Sequence, residues 1–155
     1  GEYELANRRD IAMVLPDDFR YAGVISCAGA IYSNQGPLKW QTTPAPLQMF
    51  HGDADRNVPF AKVRLFRRGF FGSKTIAKRY DKFGFPYYFY VEQNADHRLA
   101  GSPLVSEREE IISFLDNYVH GDQQISTNSV VEPIGAGKVK KRFGIMTYVK
   151  ANFGM

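Results

Sequence analysis

Apolar and polar positions along this chain change their spacing from one segment to the next. Residues 3–15 carry apolar side chains at partly helical spacing up to Pro16, which predicts a helix that ends there. Three short runs are instead continuously apolar and are bounded by turn-forming residues, as expected for parallel strands that are buried on both faces. The three predicted strands cover residues 21–28, 45–50 and 87–91.

The segments between these strands complete an alternating pattern. Residues 29–43 hold several Gly, Pro, Ser and Asn and predict a loop, whereas residues 58–83 predict a mainly helical segment that is interrupted near Gly69. A capping box that opens at Ser106 predicts a further helix, which ends near His120. Helices that alternate with strands indicate an α/β fold, with a parallel sheet and flanking helices.

The pattern changes after Gly121, where polar and glycine-rich residues take over, with weak strand signals near Val130 and Val139. Residues 145–153 then predict a short terminal helix. We interpret the first part of the chain as one domain and the second part as an extension that packs on it or trails from it. The two parts are residues 1–121 and residues 122–155.

The composition is that of a globular protein with a mild positive charge. Of the 155 residues, 44% are apolar, which is enough for one core, and 20 basic against 16 acidic side chains give a net charge of +4. No apolar run approaches the roughly 20 residues that span a bilayer, so no membrane span is expected. Basic residues are dense only at 138–142, which we interpret as a solvated surface, so no nucleic-acid partner is expected. Cys27 is the single cysteine, which excludes an internal disulfide.

Polar side chains that can carry chemistry follow two of the predicted strands. Asp53 and Asp55 come directly after the second strand, and His97 follows the third. Because the carboxyl ends of parallel strands meet at one edge of a sheet, the loops there project into a common crevice. A carboxylate that orients an imidazole is the acid and base arrangement of serine hydrolases, and the acid precedes the base in α/β hydrolases as it does here.

The carboxylates belong to a longer motif, His-Gly-x-x-Asp-x-x-Val-Pro, which runs from His51 to Pro59. With this motif and the later His97, the sequence resembles the α/β-hydrolase superfamily, in particular bacterial esterase and lipase-like members, over about residues 1–120. The resemblance implies the last three strands of that fold and their helices, with Asp55 as the acid of a catalytic triad and His97 as its base. It also implies acyl-enzyme chemistry on a small-molecule carboxylic ester, with no metal and no organic cofactor.

We expect the residues around Asp55 and His97 to have other roles. Asp53 competes with Asp55 as the acid, but we expect it to shape the turn through hydrogen bonds to the backbone. His51 is expected to be a structural residue that packs under the loop, and Asp96 to bias the charge of the neighbouring imidazole. The segment that contains Trp40 is expected to form a wall on the substrate side.

A nucleophile of the expected kind is missing from the sequence. No Gly-x-Ser-x-Gly elbow occurs, and Ser26, Cys27 and Ser33 do not lie on the sharp strand-to-helix turn that exposes an attacking oxygen. The resemblance implies that residue 1 lies in or just after the helix that follows the serine. The chain alone is therefore expected to be inactive toward esters.

The same interpretation predicts an exposed sheet edge. A strand without its neighbour exposes unpaired backbone groups, so we expect the chain to form homo-oligomers, or to pair with an N-terminal fragment, through that edge. A function of a different class stays open beside the hydrolase: a non-catalytic oligomerising or interaction module derived from the hydrolase fold.

Overall fold

A computed structural model describes residues 16, 18–132, 141 and 143–154. The helix predicted at 3–15 and the strand signal near Val139 lie outside the described residues. In chain order, the elements are β1 (Val24–Cys27), β2 (Ala30–Ser33), β3 (Leu47–Gly52), β4 (Lys62–Leu65), β5 (Arg68–Gly72), α1 (Ser73–Phe83), β6 (Tyr87–Glu92), a 3-10 turn (His97–Ala100), α2 (Pro103–Ser106), α3 (Arg108–Phe114), a π-helical turn (Leu115–His120), β7 (Ser126–Val131) and α4 (Ile145–Phe153).

The larger of the two described sheets is parallel and has the strand order β1-β3-β6-β7. At its centre Leu47 pairs with Tyr87 and Gly52 pairs with Glu92, so β3 and β6 end side by side. The prediction of an α/β fold with a parallel sheet and flanking helices is confirmed. The sheet has one strand more than the three predicted, because β7 pairs with β6 from the part of the chain beyond residue 121.

Alternating side chains of β3 and β6 face two separate cores. Met49 and Phe89 pack on one face of the sheet under α1, whereas Phe50 and Tyr90 pack on the other face with Leu99. All six residues of β3 are buried. Burial on both faces explains why these strands are mainly apolar and do not alternate, although β3 also buries the polar side chains of Gln48 and His51.

The smaller sheet is antiparallel, with the strand order β2-β5-β4. It corrects two predictions. The prediction of a loop over 29–43 is wrong at β2, and the prediction of a mainly helical segment over 58–83 is wrong for its first half, which forms β4 and β5. The helix α1 begins only at Ser73.

Two glycines lie where the segment before α1 approaches other backbone closely. A Cβ on Gly69 would lie 2.4 Å from the carbonyl oxygen of Val63, and a Cβ on Gly72 would lie 1.6 Å from that of Pro59. No side chain fits where the backbones approach so closely. Glycine in a strand often marks such a point. The glycines that look like an interruption of a helix are thus part of a strand pairing.

β1 is an exposed edge of the parallel sheet. Val24 is 41% exposed and Ile25 is 37% exposed, so the prediction of burial on both faces is wrong for this strand. Within the described ranges β1 has a single sheet neighbour, β3. Its apolar composition alone could not distinguish an edge strand from a central one.

The region after β6 is helical in short pieces. α2 and α3 are separated at Glu107, and the hydroxyl of Ser106 donates to the carbonyl oxygen of Ser102 at 3.0 Å and does not cap α3. The predicted capping box is therefore not formed. Phe114 and Tyr118 hold this region against the sheet with buried rings.

The terminal helix α4 occurs at the predicted place. The ring of Tyr148 stacks on Phe70 of β5 with centroids 5.1 Å apart, and the amide of Asn152 donates to the carbonyl oxygen of Asn57 at 3.1 Å. Of the helices in the described part of the chain, none has the length and apolarity needed to cross a bilayer.

Candidate active site

The two loops with the predicted acid and base leave the parallel sheet side by side. We call residues 53–58, which follow β3, the acid loop, and residues 93–97, which follow β6, the base loop. His51 pairs with Val91 and Gly52 with Glu92 at the ends of these strands. Since both strands run in the same direction, both loops emerge at the same edge of the sheet.

Hydrogen bonds and a close backbone approach hold the two loops together. The Ala54 N–H donates to the Ala95 carbonyl oxygen at 3.0 Å, and the Asn94 N–H donates to the Asp53 carboxylate at 2.7 Å. At Gly52 the backbones approach so closely that a Cβ would lie 2.3 Å from the Ala95 carbonyl oxygen. The relative position of acid and base is thus set by main-chain geometry.

Asp55 and His97 are brought together by this arrangement. The Nδ1 of His97 lies 2.8 Å from Oδ2 of Asp55. The other carboxylate oxygen, Oδ1, accepts hydrogen bonds from the N–H groups of Asn57 at 2.8 Å and Val58 at 3.0 Å. The Asp55 side chain is fully buried, whereas the His97 side chain is 34% exposed. The carboxylate is therefore fixed inside the loop, and the imidazole lies between it and the surface.

Four polar neighbours determine the charge of Asp55. Burial by itself raises the pKa of the Asp55 carboxyl, but these neighbours outweigh the effect of burial and lower the pKa to about 2. In decreasing order of effect they are the His51 ring, the Val58 N–H, the His97 ring and the Asn57 N–H. Asp55 is thus an anion at neutral pH, so Nδ1 of His97 donates the hydrogen bond and Nε2 is left as a proton acceptor.

Replacement of Asp55 by asparagine should remove a pH-dependent part of the stability. The folded-state pKa of about 2 lies below the usual 3.8, so the ionised carboxylate stabilises the fold by about 2 kcal/mol above pH 4. This contribution is lost as the pH falls from about 4 through about 2. Urea unfolding of the wild type and Asp55→Asn across this range measures it, and a free-energy difference that does not change with pH would contradict the assignment.

A second histidine lies behind the pair. The His51 ring is buried, and its Nδ1 lies 2.8 Å from the Oγ of Ser73, the first residue of α1. Its Nε2 lies 3.3 Å from Oδ2 of Asp55 but is not aligned for a hydrogen bond, as no partner satisfies this nitrogen among the described residues. We therefore regard His51 as an electrostatic neighbour of the carboxylate. Its buried place beneath the loop is the one expected from the sequence.

Ser73 was not singled out by the sequence, although it lies at the start of a helix, where serine commonly caps. Its fully buried hydroxyl contacts His51 and does not cap α1. The tautomer of His51 sets whether the Ser73 hydroxyl donates or accepts in this hydrogen bond. Ser73 thus belongs to the support of Asp55 and is not exposed for attack on a substrate.

The other aspartates of the two loops have structural contacts. Besides the Asn94 N–H, Asp53 accepts a hydrogen bond from Lys141 Nζ at 2.5 Å, so it is paired with the C-terminal part of the chain. Asp96 accepts from the Arg98 N–H at 3.0 Å at the start of the 3-10 turn, and Arg98 forms an ion pair with Glu92. Of the three aspartates, Asp55 is the one that contacts His97.

Trp40 is not brought to this pair. Its ring packs edge-on against Tyr80, Phe83 and Phe85, with centroids 5.2 to 6.1 Å away. These residues surround the end of α1 and the entry to β6, at the amino ends of the parallel strands. Asp55 and His97 lie at the opposite, carboxyl ends, about 16 Å away along a six-residue strand.

None of the described serine or cysteine side chains hydrogen-bonds to His97. Ser26 and Cys27 lie in β1 and Ser33 ends β2. Burial raises the pKa of the Cys27 thiol, which disfavours the reactive thiolate. The described residues also contain no group of three or more His, Cys, Asp or Glu placed to hold a metal ion. The arrangement provides a proton acceptor at Nε2 of His97 and a buried anion behind it.

No family model, curated protein or solved structure matches this chain. The function of the site is therefore inferred from its own residues and geometry.

Proposed function

We propose that this chain carries the acid and base of a serine carboxylic-ester hydrolase of the α/β-hydrolase type, with Asp55 as the acid and His97 as the base. In this proposal the parallel sheet is the C-terminal portion of such a fold. The attacking serine is supplied by polypeptide outside these 155 residues, because the sequence contains no nucleophile elbow.

The observation that carries the proposal is the 2.8 Å contact between Asp55 Oδ2 and His97 Nδ1. It joins a buried carboxylate, which two backbone N–H groups hold in place, to a partly exposed imidazole. An anion in this position fixes the imidazole tautomer and stabilises the imidazolium that forms when Nε2 takes a proton. A surface histidine without a role in function would not require a buried carboxylate that backbone hydrogen bonds hold in place.

In the proposed reaction, the serine oxygen adds to the ester carbonyl as its proton moves to Nε2 of His97. Collapse of the tetrahedral adduct breaks the bond to the alcohol oxygen, and the imidazolium returns the proton to the departing alcohol. Water then repeats the two steps on the acyl-serine and releases the carboxylic acid. Asp55 remains an anion throughout and orients His97.

A comparison of the short chain with the product of its whole reading frame tests the proposal. The protein made from the whole reading frame should hydrolyse p-nitrophenyl acetate with a burst of p-nitrophenol, as expected for an acyl-enzyme. The 155-residue chain alone should give no turnover above its own Asp55→Asn, His97→Ala double variant, because the pair has no hydroxyl to activate. Stopped-flow absorbance measures both.

The open edge at β1 favours the second candidate, a non-catalytic module that associates through its sheet. Val24 and Ile25 of that edge are partly exposed, and an exposed edge strand is a template for pairing with another chain. Absence of ester turnover from the whole reading frame, together with dimerisation of the short chain in sedimentation velocity, would replace the hydrolase proposal with this one.

A further inference from the structure

The hairpin between β4 and β5 presents an apolar tip to solvent. Its turn carries Leu65, which is 60% exposed, and Phe66, which is 86% exposed. We call residues 62–68 the arginine hairpin. Single exposed apolar residues are common, but here a leucine and a phenylalanine are adjacent at a hairpin turn, and no other described residue covers them.

Hydrogen bonds within the hairpin and from the segment after β2 hold the tip in place. The guanidinium of Arg64 donates to the Phe66 carbonyl oxygen at 2.9 Å, and the Gly36 N–H donates to the Arg67 carbonyl oxygen at 2.8 Å. Phe66 has a φ of +54°, which L-residues rarely adopt. At the base, Phe70 is packed between Tyr32 and Tyr148. Leu65 and Phe66 therefore lie at the end of a hairpin whose backbone is held by hydrogen bonds and ring packing.

Positive charge surrounds this apolar tip. The hairpin contains four exposed basic residues, namely Lys62, Arg64, Arg67 and Arg68. None of the four is in salt-bridge contact with a carboxylate of the described residues. The sequence contains no Asp or Glu at all in residues 29–52 or 56–80, which include all three strands of the antiparallel sheet. Within the described part of the chain, no carboxylate therefore forms an ion pair with these four basic residues.

We infer that the arginine hairpin docks onto an anionic lipid bilayer, with Leu65 and Phe66 inserted at the boundary between headgroups and acyl chains. Apolar residues that insert beside basic residues that contact anionic headgroups are the two components of peripheral membrane binding. This inference does not rest on the proposed hydrolase function, because it uses neither Asp55 nor His97.

The shape of the hairpin favours a bilayer over the other anionic partners. Proteins that bind single-stranded nucleic acid place bases on flat aromatic rings along a basic groove. Here the two apolar side chains are highly exposed at a hairpin turn, and one of them, Leu65, has no aromatic face. An acidic protein partner would neutralise the arginines, but it would also have to contain an apolar pocket that fits Leu65 and Phe66. A bilayer can bury the two side chains without such a pocket.

Cosedimentation of the 155-residue chain with vesicles tests the inference. The chain should bind phosphatidylcholine vesicles that contain about 30% phosphatidylserine, should bind pure phosphatidylcholine at least tenfold more weakly, and should dissociate as salt is raised. The double variant Leu65→Ser, Phe66→Ser and the double variant Arg67→Glu, Arg68→Glu should each bind the anionic vesicles at least tenfold more weakly.

Two matched variants separate the hairpin from general surface effects. Val105→Ser removes an exposed aliphatic side chain outside the hairpin, since Val105 is 80% exposed. Arg108→Glu reverses an exposed positive charge outside the hairpin, on α3. Both should bind like the wild type, and circular dichroism should show that all variants are folded.

Three results would overturn the inference. The first is absence of binding to the anionic vesicles. The second is retained binding in both hairpin variants, which would locate the contact elsewhere, for example on residues 138–142. The third is binding that needs the arginines but not Leu65 and Phe66, accompanied by tighter binding to a single-stranded oligonucleotide than to vesicles, which would identify a nucleic-acid surface.

Discussion

Replacement of His97 by alanine should lower kcat for ester hydrolysis about 10⁶-fold in the protein that contains the serine. The alanine variant has no imidazole to take the serine proton. The Asp55 carboxylate cannot replace it, because its side chain is fully buried and its pKa of about 2 makes it a weak base. KM should change little, since His97 acts on the reacting proton and not on substrate binding. Steady-state kinetics with p-nitrophenyl acetate measure both parameters.

Two further substitutions test whether the loss of kcat is specific to the pair of Asp55 and His97. Asp55→Asn should also lower kcat by about 10⁴-fold, because an amide at this position favours the wrong imidazole tautomer. His120→Ala removes an exposed histidine at a helix end and should leave kcat unchanged. Full activity in His97→Ala, or equal losses in His97→Ala and His120→Ala, would show that the pair has no role in the chemistry.

The central strands of the fold could be predicted because their burial leaves a local signature. β3 and β6 are covered on both faces, and this requirement makes 47–52 and 87–92 mainly apolar without alternation. The hairpin of β4 and β5 leaves no comparable signature, since apolar spacing in 62–72 fits a helix as well as a pair of strands. The two strands there make close backbone contacts, such as that of Gly69 with Val63, which the local pattern does not contain.

The juxtaposition of Asp55 and His97 could be foreseen for a topological reason. Residues that follow adjacent parallel strands must meet at one edge of the sheet, whatever their separation in sequence. Contacts that depend on other elements could not be foreseen. Ser73 reaches His51 only because α1 starts next to the end of β3. The position of Trp40 depends on its packing against Tyr80 of α1 and against Phe85, which precedes β6.

The C-terminal part of the chain adds a support that sequence reasoning did not anticipate. Lys141 pairs with Asp53 at 2.5 Å, and Asn152 donates to the Asn57 carbonyl oxygen at 3.1 Å. Both contacts are with the acid loop, one at each side of Asp55. The segment first interpreted as an extension of the domain thus touches the loop that positions the acid.

Gly52→Ala should be the most damaging substitution at the junction of the two loops. The added Cβ would lie 2.3 Å from the Ala95 carbonyl oxygen and 2.6 Å from that of Asp96, and since both are backbone atoms the loops must separate. We expect a loss of about 3 kcal/mol in unfolding free energy, or roughly a 10 °C fall in melting temperature for a domain of this size. Differential scanning calorimetry of the 155-residue chain measures it.

Gly101→Ala is the matched control for this substitution. Gly101 has a φ of −137°, and a Cβ built on it meets no heavy atom within 4 Å, so alanine there should change the unfolding free energy by less than about 1 kcal/mol. The separation of the loops has its own signature in Gly52→Ala, because the downfield proton of an Asp-paired imidazole Nδ1–H exchanges with water once the 2.8 Å contact opens. Its NMR resonance should persist in Gly101→Ala and disappear in Gly52→Ala. A folded Gly52→Ala protein that keeps both this resonance and its wild-type melting temperature would show that the backbone contact does not hold the acid and base together.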